Sequence, residues 1–184
     1  MRQLILQMHV SLDGYVARPP GSDGWGVDEE GPEAVRWVIE STRDAGAHLM
    51  GSATYVEMAG YWPHHSDEIA TLMNETPKVV FSKTLQTADW PDSRIASGEL
   101  AEEVARLKAE PGADLMVHGG VRLVQALSRE GLVDEYRLIV RPVAWGDGLP
   151  LFKGLPAPLP LKLLDAKTFP CGTTALTYQR APSS

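Results

Sequence analysis

The chain has 184 residues, enough for one sizeable core and short for two. With 43% hydrophobic and 22% charged residues it has the composition of an ordered globular protein, not a disordered one. Seventeen basic against twenty-four acidic residues give a net charge of −7, which argues against a surface built for nucleic-acid backbone.

No apolar run approaches the length of a bilayer span, so no membrane partner is expected. The start, Met1 to Gln7, lacks the apolar core and cleavage site of a signal peptide. The one cysteine, Cys171, cannot form an internal disulfide and suits a reducing compartment. The expectation is a cytoplasmic chain with one domain over residues 1–180 and a frayed tail over 181–184.

Residues 2–10 read as a first strand. Ser11-Leu-Asp-Gly14 breaks it, and a loop rich in Gly, Pro and Asp runs to Gly31; loops of that length are usually functional. Pro32 to Thr42 is a helix with proline in its first turn and Val35, Val38 and Ile39 facing inward. Ala47 to Met50 is a short strand, and Gly51 to Met58 a helix that starts directly from it. Gly60 to Asp67 is a loop, Glu68 to Asn74 a short helix, Pro77 to Phe81 a strand and Arg94 to Ala96 a shorter one. Glu99 to Lys108 is amphipathic, with Leu100, Val104 and Leu107 on one side.

Leu115 to Val117 is a buried strand running into Gly119-Gly120, after which Val121, Val124 and Leu127 recur with helical spacing. Val133 to Val140 is a further strand, and Leu161–Thr168 with Thr173–Arg180 form an antiparallel pair. Strands alternating with helices predict an α/β fold: a mostly parallel central sheet, helices on both faces, and an antiparallel C-terminal edge.

Ligands in such sheets sit outside the carboxyl ends of the strands. Three strand ends here carry suitable groups: Gly51 with Ser52 and Thr54, Ser82 with Lys83 and Thr84, and Gly119 with Gly120. A strand, a glycine and a helix start make either a plain turn or an anion seat, because helix N-termini offer unpaired N–H groups and positive potential. Neither G-x-G-x-x-G nor G-x-x-x-x-G-K-[ST] is present. His64-His65 with Asp67 lacks the clustering a metal site needs, and no metal is expected. His9 and His118 read as strand-end core or rim residues.

The order and spacing of Ser11-Leu-Asp-Gly-Tyr-Val-Ala17, Asp44 to Tyr55, Val117-His-Gly-Gly-Val-Arg-Leu123, Leu132 to Glu135, Pro142, Gly146-Asp-Gly148 and Leu151-Phe152 resemble the dihydrofolate-reductase-like superfamily. The closest branch is the C-terminal reductase domain of bacterial riboflavin biosynthesis. The resemblance covers nearly the whole chain and implies that fold, NADPH as cofactor and a homodimer. It implies that Gly51, Ser52 and Thr54 contact the cofactor phosphates, and that Ser82, Lys83 and Thr84 receive the 2′-phosphate. Gly119 and Gly120, joined by a cis peptide, and the helix start at Val121 would seat the pyrophosphate. Asp13, and after it Glu33, are the candidate catalytic carboxyls, with Asp28 also acidic in the loop.

By the resemblance, dihydrofolate reductases carry an acid in the first helix where this chain has Ala34, flanked by Glu33, so folate is not the expected substrate unless Glu33 or Asp28 takes over that role. The zinc-deaminase motifs H-x-E and P-C-x-x-C are absent. Arg18, Arg36 and Arg141 are candidate cations for a ribose phosphate. The reaction implied is NADPH-dependent hydride transfer to a C=N or C=O of a small heterocyclic or sugar-phosphate substrate, resembling that of the 5-amino-6-(5-phosphoribosylamino)uracil reductase of riboflavin biosynthesis or of dihydrofolate reductase. The alternative is a non-catalytic nucleotide-binding or regulatory protein on the same fold.

Overall fold

A computed structural model describes residues 1–18 and 31–181. Asp28 and the course of the loop between Arg18 and Gly31 lie outside the described residues, as does most of the expected tail. In chain order the elements are β1 (Leu4–Ser11), β2 (Tyr15–Ala17), α1 (Pro32–Thr42), β3 (Ala47–Gly51), α2 (Ser52–Tyr61), α3 (Glu68–Glu75), β4 (Lys78–Phe81), β5 (Ser93–Ala96) and α4 (Leu100–Ala109). Then come β6 (Leu115–Val117), α5 (Val121–Arg129), β7 (Glu135–Arg141), β8 (Leu149–Pro150), β9 (Leu161–Thr168) and β10 (Thr174–Arg180).

The main sheet has eight strands in the order β5-β4-β3-β6-β1-β7-β10-β9. The pairings from β5 to β7 are parallel, and β10 runs antiparallel to both β7 and β9. The chain moves outward from β1 through β3, β4 and β5, returns to place β6 between β3 and β1, and then crosses to β7. By the general rule for such sheets, that reversal marks the carboxyl ends of β3, β6 and β1 as the place of the ligand crevice.

Strand alternation sorts the layers. Leu4, Leu6, Met8 and Val10 of β1, with Leu49, Val79, Leu115 and Val117, pack against Val104 and Leu107 of α4 and Leu123, Val124 and Leu127 of α5. Each such aliphatic side chain contributes about 1.5–3 kcal/mol on burial. The opposite parity packs against α1 to α3: Met50 and Val80 meet Tyr55 and Met73, and Ala34 meets Phe169 and Ala175. This second face is more polar. Gln7 of β1 bonds to the Ser41 and Thr42 hydroxyls of α1, and Lys78 of β4, fully buried, donates to the Asn74 and Pro91 carbonyls.

Local signals explain the helix starts. Pro32 sits in the first turn of α1, and Asp67 caps α3 by accepting the Ala70 amide at 2.9 Å. Inside α1, Ala34, Ile39 and Thr42 are buried, while Val35 and Val38, expected inward, are half-buried. The helix Gly51–Met58 runs on to Tyr61 and passes into a 3-10 turn, Trp62–His64, where a loop was expected.

Candidate active site

The two glycine junctions come together in space. A methyl group on Gly120 would lie 3.1 Å from the Gly51 amide nitrogen and 3.4 Å from its Cα, and one on Gly119 would press on Thr54 at 3.4 Å. Gly51 and Gly120 are the N-caps of α2 and α5, and neither helix start is capped by a side chain. Two helix starts, each with N–H groups that no side chain caps, therefore lie side by side, with the Thr54 hydroxyl next to them. A side chain at either glycine would fill that cradle.

The Gly119–Gly120 peptide is trans, contrary to the expectation of a cis bond; all described peptide bonds are trans. Gly120 makes the turn through a left-handed backbone instead, at φ 83° and ψ 81°. Glycine adopts that region freely, whereas another residue loses about 1–2 kcal/mol there.

At the end of β4 the Ser82 hydroxyl accepts the amides of Thr84 at 3.2 Å and Leu85 at 2.9 Å. Its acceptor capacity is used, and its proton remains to donate. Lys83 pairs with Glu99 at 3.1 Å, with side chains 72% and 77% exposed, a contact of little strength that an incoming anion can displace. Thr84 is exposed.

Asp13 acts as a latch. Its carboxylate accepts the Ser11 hydroxyl at 2.7 Å, the Trp145 amide at 3.1 Å and the Gly146 amide at 2.7 Å, tying the turn after β1 to the loop after β7. The same joint is closed by β2 pairing with β8, a two-stranded sheet with no sequence signal. The Ser11 hydroxyl and the loop amides hold the Asp13 pKa down, to about 2, so at neutral pH it is an acceptor and not an acid. Glu33 is exposed in the first turn of α1, and Ala34 is buried against Phe169 and Ala175.

Arg141 is buried at the end of β7, Arg18 is exposed after β2, and Arg36 faces away to pair with Glu68 at 2.9 Å. His65 stacks on Tyr61, and no three His, Cys, Asp or Glu side chains converge among the described residues. Sequence reasoning missed one pair. His48 of β3 and His118 after β6 are hydrogen-bonded at 2.9 Å just beneath the glycine junctions. The equal parity of His48 and Met116 in register was the available signal, and it needed the strand pairing to be known.

A mostly parallel sheet with this switch point and antiparallel C-terminal edge is the dihydrofolate-reductase-like architecture. Within it the chain belongs to the RibD C-terminal domain family, which matches residues 2–175. YyaP of Bacillus subtilis (strain 168), an uncharacterised protein, is 30% identical over 182 residues, covering 96% of this chain and 94% of YyaP. A protein from Shewanella sp. PV-4 provisionally assigned to riboflavin biosynthesis superposes with a TM-score of 0.80 at 23% identity, over 98% of this chain and 99% of that one. The diaminohydroxyphosphoribosylaminopyrimidine deaminase/5-amino-6-(5-phosphoribosylamino)uracil reductase of Thermotoga maritima superposes with a TM-score of 0.69 at 15% identity, over 98% of this chain but 57% of its own length. At these identities the two structures show the fold alone.

Proposed function

We propose that the chain is an NADPH-dependent reductase acting on a C=N or C=O of a small heterocyclic or sugar-phosphate compound, in the manner of 5-amino-6-(5-phosphoribosylamino)uracil reduction. The observation that carries this reading is the contact between two helix starts, at Gly51 and Gly120, neither capped by a side chain. Adjacent N–H clusters of this kind fit a pyrophosphate, whose charges need two sets of donors. Gly51, Ser52, Thr54, Gly119, Gly120 and Val121 would hold it, and Ser82, Lys83 and Thr84 would take the 2′-phosphate, where a cation and hydroxyls suit a dianion.

NADPH supplies the hydride when bound. The chain's own residues position and protect. Asp13, ionised, fixes the loop after β7 over the crevice, and Glu33 relays a proton from water. Ala34 leaves the first helix without a pterin-gripping acid, so folate is not the proposed substrate. We extend the reading to a cytoplasmic homodimer with no membrane or nucleic-acid partner. Edge strand β9 leaves Leu163 and Leu164 49% and 48% exposed, an edge that a second copy would cover.

The alternative, a non-catalytic nucleotide-binding protein, is favoured by one observation: the carboxylate nearest the resemblance's catalytic position is fully engaged in the latch. NADPH oxidation measured over the ribosylaminopyrimidine precursor, dihydrofolate and small carbonyls separates the two. Turnover of the precursor or a carbonyl is expected, with dihydrofolate inert. NADPH binding without oxidation of any of them would select the alternative.

A further inference from the structure

His48 and His118 lie on the sheet face covered by α1 to α3, directly under the two helix starts. β3 and β6 stay paired only as far as Leu49 and Val117. Past that register the ladder ends, one segment leading through Gly51 into α2 and the other through Gly119 and Gly120 into α5, with Gly51 and Gly120 still in contact. His118 is the first residue beyond the last pair, and its side chain reaches His48 of β3. Its Nε2 lies 2.9 Å from Nδ1 of His48, and the rings meet edge to face with centroids 4.5 Å apart.

Such a bond needs one N–H and one lone pair, so the two rings share a single proton along that line. Burial keeps both rings neutral. It pulls His48 well below the usual histidine value, helped by His118 and Lys78, and it brings His118 to about 4. Around the pair stand the buried ammonium of Lys78 on β4, directed at the Asn74 and Pro91 carbonyls, and the Leu72 backbone of α3. An aliphatic pair would fill this space without the bond, so what the imidazoles add is direction.

We propose that the His48–His118 hydrogen bond is a positioning device for the anion seat: the last side-chain tie between β3 and β6, it holds the Gly119–Gly120 turn against Gly51 so that both helix starts aim at one pyrophosphate. The identity of that ligand rests on the nucleotide-binding reading above; the geometry does not. Both histidines are positioning residues, acting through the backbone of the seat.

The test separates direction from packing. His118→Gln keeps a polar atom where Nε2 stands, and His118→Leu keeps only volume. Dissociation constants for NADPH and for inorganic pyrophosphate are measured on the full chain, with amide hydrogen exchange at Val124, whose N–H donates to the Gly120 carbonyl at 3.0 Å. H118L is expected to bind both probes roughly tenfold more weakly and to exchange faster at that amide, with H118Q within about threefold of the parent. Unchanged affinity in H118L, or equal losses in H118Q and H118L, would overturn the proposal. If the parent binds neither probe, the nucleotide reading fails by itself and the exchange rates decide: faster exchange in H118L supports the tie, and unchanged exchange overturns it. Should H118L not fold, His48→Asn against His48→Ala makes the same comparison from the other ring, since Asn keeps a polar atom at the Nδ1 position.

Discussion

The two sides of the crevice are built differently. On the β3–β6 side the groups proposed to meet a ligand are backbone amides at the helix starts of Gly51 and Gly120, set by strand pairing and tied from below by buried His48 and half-buried His118. On the β1–β7 side the groups are side chains on turns, and the wall is a loop tied by the Asp13 carboxylate, by the Leu12 amide to the Val143 carbonyl and by the β2–β8 pair. A backbone seat suits a ligand part common to many reactions; a latched loop suits the part that varies.

Breaking the backbone side should have the largest effect. Gly120→Ala must bring a Cβ to 3.1 Å from the Gly51 amide at a positive φ. A cost of about 1–2 kcal/mol in stability is expected from the backbone conformation alone. A displaced seat should weaken NADPH by on the order of a hundredfold, read by titration. If G120A bound NADPH as the parent does, the seat would lie elsewhere.

Breaking the latch should do less. Asp13→Ala removes the acceptor for Ser11, Trp145 and Gly146, so turnover should fall on the order of tenfold with NADPH affinity kept. A loss of ~10²–10⁴-fold would instead mark Asp13 as a proton relay. The latch has a definite pH range. The Asp13 pKa is lowered in the folded chain, from 3.8 to about 2, so its stabilising contribution is full above 3.8 and disappears as pH falls through 2. Protection of the Trp145 and Gly146 amides, measured against their intrinsic exchange rates, should therefore stay constant from neutral pH down to about 4.

The smallest effect lies at the margin of the backbone side. Lys83 is exposed and loosely paired, so Lys83→Ala should weaken NADPH by roughly fivefold and leave NADH unchanged. Equal losses for both cofactors would remove Lys83 from the 2′-phosphate site.

Local chemistry made part of this legible. α1 begins at Pro32 and ends at Thr42, as proline at a first turn predicts, and the run Leu115–Val117, glycine pair and helix stands as read. The β2–β8 pair was not legible, because Leu149–Pro150 is too short to show a period and its partner lies across the chain. Nor were the buried roles of His48 and Lys78, polar residues inside strands whose partners come from other elements. The trans Gly119–Gly120 bond departs from the resemblance, and the family match over residues 2–175 stands without it. A glycine pair signals a special backbone, but sequence does not say whether the peptide or the φ angle carries it.

Whether the two meeting helix starts form a seat for NADPH is tested most directly by thermal unfolding with rising NADPH. A ligand bound to the folded chain stabilises it by RT ln(1 + [L]/Kd). The melting temperature is expected to climb with NADPH, to climb less with NADH, and to lose that climb in G120A. A melting temperature indifferent to both cofactors would contradict the seat.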